Sequence, residues 1–226
     1  MSQHPRPVRV TVVDDHVLFA ESVALTLEAE GYLVKRLDIT APPATLASVL
    51  ATALRTVPRV VLLDLDLGRV GDGTRLIAPL TASGAAVVAL TATSDLADWG
   101  ESLRQGAKTV LSKASPLHEV MTTIRSVCDG RPVLRSQERQ ALIDTAVRER
   151  DATREIRTRL DRLTRREQEV LGALMRGEQV REIARARVVS EATVRTQIKS
   201  ILAKLETGSQ IAAIGAAYRA GWRPPG

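Results

Sequence analysis

Apolar residues in the first 130 positions fall in short continuous runs, each followed by a longer stretch in which they recur at helical spacing. The runs are VRVTVV (8–13), LVKR (33–36), RVVLLD (59–64), AAVVAL (85–90) and TVLS (109–112). The spacing between them predicts helices over about 17–30, after Pro42-Pro43, over 74–82, 95–105 and 116–128. Strands alternating with helices of this length imply βαβ units, and therefore a mostly parallel sheet. Near-continuous apolar strands fit a sheet covered on both faces.

Beyond residue 130 the strand-like runs stop. Positions 136–162 are dense in Arg and Glu, with Leu142, Ile143, Val147, Ile156 and Leu160 as sparse apolar positions. They predict a solvated helical linker with a break near Asp151. A dimerising coiled coil is the alternative, which the irregular heptads do not support. LTRREQEVLGALMRG then opens with a capping box from Thr164 to Glu167 and closes at Gly177. Leu163 and positions 170–174 give it an apolar face. VREIARARVVS predicts a short helix and a turn, and Ser190 caps the next helix, EATVRTQIKSILAKL. In that helix Val194, Ile198, Leu202 and Leu205 fall at core spacing, while Glu191, Arg195 and Lys199 share the opposite face. A polar, basic face on the second helix of a helix-turn-helix suits a DNA major groove; a merely solvated face is the plainer alternative. The expected organisation is an α/β domain over 1–130, a helical linker over 131–159 and a small all-α domain over 160–226.

Charge sharpens this division. The net +6 of the 226-residue chain hides 12 Lys and Arg against 14 Asp and Glu in residues 1–130, a net of −2. Residues 131–226 carry 20 against 12, a net of +8. An acidic half favours cations and a basic half favours phosphates, nucleic acid included. Aromatics at 2% argue against a sugar-binding face or a base-stacking platform. No apolar stretch reaches the roughly 18 residues needed to span a bilayer, and MSQHPRPVRV lacks the apolar core of a signal peptide. Cys128 stands alone, so neither a disulfide framework nor a thiolate metal site is expected. These features predict a soluble cytoplasmic protein.

In open parallel sheets the ligand site lies at the carboxyl ends of the strands. Those ends carry Asp14 and Asp15, Asp64 and Asp66, Thr91, and Lys113. Ordinary surface residues at loop starts would give one such position, not four of five. Carboxylates this close repel, each pair by about 4 kcal/mol at an effective dielectric near 20. A hard divalent cation, Mg²⁺, would relieve that repulsion and neutralise an incoming phosphoryl group. An Asp carboxylate is a competent phosphoryl acceptor; Thr91 can donate to a phosphoryl oxygen and Lys113 can pair with another. Asp64, opposite the acid pair, is the best placed nucleophile.

VVDDHVLF, LLDLDL, ALTA and LSK resemble the receiver domain of two-component response regulators over about residues 8–129. The resemblance implies a flavodoxin-like, doubly wound sheet in which Asp14, Asp15 and the Asp66 carbonyl lie on the Mg²⁺ side. It makes Asp64 the acceptor for a sensor histidine kinase, and Thr91 and Lys113 the pair that reads the phosphoryl group. Receivers usually place Met-Pro after the acceptor, where this chain has Leu67-Gly68. They usually carry Tyr or Phe three residues before the Lys, where it has Val110, and commonly Pro after the Lys, where it has Ala114. Coupling through Thr91 and the fourth helix, or control by protein or ligand contacts, are the alternatives these departures raise. DLDLG also resembles the Asp-x-Asp of haloacid-dehalogenase-type phosphohydrolases, but that motif sits on a first strand; no enzyme activity is expected.

The stretch from LTRREQEVL to ILAKL resembles the LuxR/NarL/FixJ-type DNA-binding domain over about residues 160–222. That resemblance implies a recognition helix over 191–205, with Arg187, Thr193, Gln197 and Lys204 as contacts around it. Gln197 stands where a His is frequent. It also implies pairing of two copies on double-stranded DNA through the last helix. There Ala213, Ala216 and Ala217 serve either that pairing or internal packing. RNA polymerase is a further candidate partner.

Overall fold

A computed structural model of the chain describes residues 7–41 and 44–224. The first six residues, and the Pro42-Pro43 pair ahead of the second helix, lie outside the described residues. Five strands alternate with five helices: β1 (Arg9–Val13), α1 (Val17–Ala29), β2 (Leu33–Arg36), α2 (Leu46–Arg55), β3 (Val60–Asp64), α3 (Thr74–Ala82), β4 (Ala86–Thr91), α4 (Leu96–Arg104), β5 (Thr109–Ser112) and α5 (Leu117–Cys128). The strands form one sheet in the order β2-β1-β3-β4-β5, every pair parallel. The order reverses between β1 and β3, which opens a crevice at their carboxyl ends.

Alternation along the strands divides the core. Val10, Val12, Val60, Leu62, Val88 and Leu90 pack against α1 and α5. Val13, Val61, Leu63, Val87 and Ala89 pack on the other face against α2, α3 and α4. β3 is buried along its whole length, so Asp64 emerges from the middle of a two-sided apolar layer.

One helix, α6 (Ser136–Leu160), follows, and then α7 (Arg165–Met175), α8 (Val180–Ala186), α9 (Glu191–Leu205) and α10 (Gln210–Arg219). The chain divides into two compact units, residues 1–147 and 148–226. The break expected near Asp151 does not occur, because α6 holds no Gly or Pro and is rich in strong helix formers. Nor is α6 solvated throughout. Leu142 and Ile143 pack on the first unit's core, Ala146 is buried, and Ile156 and Leu160 belong to the second unit's core. Its start, 136–138, and its middle, 147–152, are the continuously exposed runs.

The second unit's core gathers Leu160, Leu163, Val170, Leu171, Leu174, Ile183, Val194, Ile198, Ile201 and Leu205. The capping box expected on α7 is present in both directions, and Ser190 caps α9 through Thr193 N–H. On α9 the expected core set needs one correction. Ile201 is fully buried while Leu202 is only partly so. The stripe runs 194, 198, 201, 205, and position 202 drifts off it by most of a helical step.

Candidate functional site

Three strands deliver the acidic cluster. Val13 pairs with Leu63, so Asp14 and Asp64 leave adjacent strands side by side. Both are buried. Lys113, just past β5, reaches across: its Nζ donates to Asp64 Oδ2 at 2.6 Å and to Asp14 Oδ1 at 2.9 Å. Asp14 Oδ1 also accepts from His16 N–H at 2.8 Å, and Asp64 Oδ1 accepts from Asp66 N–H at 3.1 Å. Burial pushes the Asp64 carboxyl up to about 6; Lys113 offsets only part of this, and the Asp14 charge adds to it. Burial alone would lower the Lys113 ammonium, but Asp64 and Asp14 hold it above its ordinary value.

The remaining expected residues divide. Thr91, buried, ends β4 one position past the residue that pairs with Asp64. Its hydroxyl accepts from Thr93 N–H, and its carbonyl accepts from Lys113 N–H at 2.7 Å. Asp66 is exposed and turns its carboxylate to Gly68 N–H. It is therefore absent from the set of side chains able to hold an ion, which comprises Asp14, Asp15, His16 and Asp64. His16, to which the sequence pattern assigns no role, stands within that set. The signal was its place directly after the acid pair at a strand end.

The cluster fits a divalent cation. Asp14 Oδ2 and Asp15 Oδ1 are buried without a hydrogen-bond partner, a cost that a cation removes. Gly68 stands at φ +55, and a Cβ there would come 2.6 Å from Asp15 Oδ2. Leu67 beside it is buried in the core. The unusual Leu-Gly pair thus anchors the loop and makes room for the carboxylate.

In the second unit the exposed face of α9 carries Glu191, Thr193, Arg195 and Lys199. Glu191 and Arg195 pair at 3.2 Å, one turn apart. Two of the expected contact residues have acidic partners within the domain. Arg187 pairs with Glu169 at 2.7 Å, and Lys204 pairs with Glu167 at 2.7 Å. Gln197 is half-buried, its Oε1 unpartnered. Ala213, Ala216 and Ala217 are buried within this unit, so the small residues of α10 serve internal packing. Its exposed positions include Ile211 and Tyr218.

Two family models match this arrangement. Residues 10–125 match "Response regulator receiver domain", and residues 161–217 match "Bacterial regulatory proteins, luxR family". The nitrate/nitrite response regulator protein NarP of Escherichia coli (strain K12) is 30% identical over 209 residues, covering 92% of this chain and 93% of that protein.

The chain is a two-component response regulator.

Its kinship extends to the probable transcriptional regulatory protein NarL of Mycobacterium tuberculosis (strain ATCC 25618 / H37Rv), 28% identical over 217 residues and 95% of each chain. A solved complex of the response regulator RcsB with DNA shares the fold, with a TM-score of 0.51 at 20% identity over 95% of this chain and 99% of that one. The response regulator therefore joins a receiver domain to a LuxR-type DNA-binding domain. Val110, at the position where receivers usually carry an aromatic residue, is buried in the sheet core. The aromatic beside that core is Trp99 on α4, whose indole N–H donates to Thr93 O at 3.0 Å.

Proposed function

We propose that this response regulator is a transcription factor of the cytoplasm in which Asp64 accepts a phosphoryl group from a sensor histidine kinase. Among the described residues no helix is long and apolar enough to cross a membrane. The working division is a receiver over 1–130, a helical linker over 131–159 and a DNA-binding domain over 160–226. The observation that carries the reading is the convergence on Asp64: Lys113 Nζ at 2.6 Å from one edge, and the Asp14 carboxylate sharing the same ammonium. Asp14, Asp15, Asp64 and the Asp66 carbonyl would hold Mg²⁺, which when bound lowers charge repulsion at the acceptor. The Asp64 carboxylate attacks the kinase phosphohistidine at phosphorus, the P–N bond breaks, and the kinase imidazole leaves as the acyl phosphate forms. Lys113 and Thr91 then contact the phosphoryl oxygens.

The route outward runs through α4 rather than an aromatic on β5. Thr91 starts the segment that leads into α4, and Gly100 of α4 lies directly beneath α6: a Cβ on it would overlap the Leu142 carbonyl and crowd Ala146. Arg139 of α6 donates to Leu103 O at 2.7 Å and to Ala107 O at 2.9 Å, at the carboxyl end of α4. A shift of α4 on phosphorylation is thus passed to α6 by direct contact. In the DNA-binding domain, Arg195, Lys199, Thr193 and Glu191 would face the groove, with Arg187, Gln197 and Lys204 at its margins. Two copies pair on DNA through the exposed side of α10, and RNA polymerase is the onward partner.

Asp64→Asn should abolish labelling by acetyl phosphate, and beryllofluoride with Mg²⁺ should raise operator affinity of the unaltered chain. Labelling that survives Asp64→Asn refutes the acceptor assignment. Labelling that occurs while affinity stays flat favours the second reading, control by protein or ligand contacts, which buried Val110 supports.

A further inference from the structure

Four ligand-bearing side chains meet at the carboxyl ends of β1 and β3, with one atom of each within 4.8 Å of the others: Asp14, Asp15, His16 and Asp64. Three are carboxylates of the acceptor site. The fourth is an imidazole whose Nδ1 lies 3.0 Å from Lys113 Nζ. In the tautomer protonated on Nε2 the Nδ1 lone pair faces inward and accepts from this ammonium; in the other, Nδ1–H donates to Asp15 Oδ1. The same nitrogen lies 2.8 Å from Asp15 Oδ1, a buried atom with no hydrogen-bond partner. In the Nε2-protonated tautomer two lone-pair atoms face each other at that separation, and a cation shared between them removes the repulsion. Asp14 adds a second orphan, since its side chain is wholly out of solvent and Oδ2 has no partner. The ring turns toward the cluster although 65% of the His16 side chain is exposed, with Nδ1 also 3.3 Å from Asp14 Oδ1 and 3.9 Å from Asp64 Oδ2.

We propose that His16 Nδ1 is a ligand of the divalent cation at this site, and that it biases the site toward first-row transition ions such as Mn²⁺ over Mg²⁺. The inference rests on the reading of the Asp64 site as a cation-assisted acceptor. Mg²⁺ is hard and takes oxygen ligands. Neutral imidazole adds affinity for first-row transition ions and little for Mg²⁺. Three carboxylates with one imidazole therefore make a mixed oxygen and nitrogen set, in which the nitrogen decides between ions that the carboxylates alone would accept alike.

The test uses the full chain, with Mn²⁺ as the probe. Electron spin-echo spectra of bound Mn²⁺ should show modulation from an imidazole nitrogen, and that modulation should vanish in His16→Ala. The variant should bind Mn²⁺ about tenfold more weakly, while Mg²⁺ affinity, read by competition, stays nearly unchanged. Failure to bind Mn²⁺, tight binding without nitrogen modulation, or equal loss of both ions in His16→Ala would overturn the proposal, leaving His16 as a charge partner of Asp15. Acetyl-phosphate labelling of Asp64 in Mg²⁺, run in parallel, separates the two ideas. Nitrogen modulation without labelling sinks the acceptor reading alone, whereas labelling without modulation sinks the His16 ligand alone.

Discussion

Glu167 is legible in the sequence for half of what it does. Its spacing from Thr164 announces the capping box, and its Oε2 accepts from Thr164 N–H at 2.7 Å. The other half comes from α9, where Lys204 donates to the same carboxylate at 2.7 Å and Ser200 donates at 2.6 Å. Burial alone would raise this carboxyl, but these donors outweigh it and hold it at about 2, against an ordinary 4.5. Its folded value is depressed, so its stabilisation is complete above about pH 4.5 and disappears as pH falls toward 2. Thermal unfolding of the DNA-binding unit should show a loss on the order of 2 kcal/mol across that window, and Glu167→Gln should flatten the dependence. Lys204 was expected at DNA, and a tie to Glu167 that spans 37 residues could not be read from helical periodicity. Val188 presents the opposite case, a side chain left in solvent on a backbone that donates to Arg185 O. It is a β-branched side chain at φ +55, 92% exposed, in the turn between α8 and α9. That backbone costs an L-residue roughly 1–2 kcal/mol. Val188→Gly should therefore raise the denaturation midpoint of this unit, by about 1 kcal/mol of stability; a lowered midpoint would mean the side chain has a hidden partner.

At the scale of elements, the five strands and four of the five helices of the receiver could be read to within a residue or two, because each strand is a closed apolar run and each helix has its own face; α2 could be placed only as following Pro42-Pro43. α6 could not. Its apolar positions do not share one stripe, since its two ends pack into different cores, and a pattern search over the whole helix averages them away. α10 left a choice open for a related reason. Small residues permit close packing but do not say against what, and here Ala213 and Ala217 pack in their own domain's core while Ala216 is buried. The α4–α6 contact offers a test of sign. Gly→Ala within an exposed helix usually stabilises by about 1 kcal/mol. Gly100→Ala should instead destabilise, since its Cβ has no room beneath Leu142. Hydrogen exchange should show the first three turns of α6 losing protection, and unchanged protection would mean the contact is not tight.

At the scale of the molecule, charge is segregated, −2 in residues 1–130 and +8 in residues 131–226, as the proposed cation and phosphoryl site in the first part and the proposed nucleic-acid surface in the second require. Binding to DNA should therefore weaken steeply with salt. Lys199→Ala should reduce the slope of log affinity against log salt by about 1, and Arg195→Ala should lower operator affinity by about 1–3 kcal/mol. Unchanged affinity and slope in both variants would remove α9 as the recognition face.

The chain's pattern of runs and spacings settled which elements form, that the sheet is parallel, and that Asp14, Asp64, Thr91 and Lys113 occupy strand ends, because periodicity and strand direction are local or topological properties. Tertiary structure alone decided which charges neutralise one another. Lys204 and Arg187 pair with Glu167 and Glu169, Asp66 turns out of the cluster, and His16 turns into it. A long side chain reaches any partner within several ångströms, and only packing brings residues 14, 16, 64 and 113 to that distance.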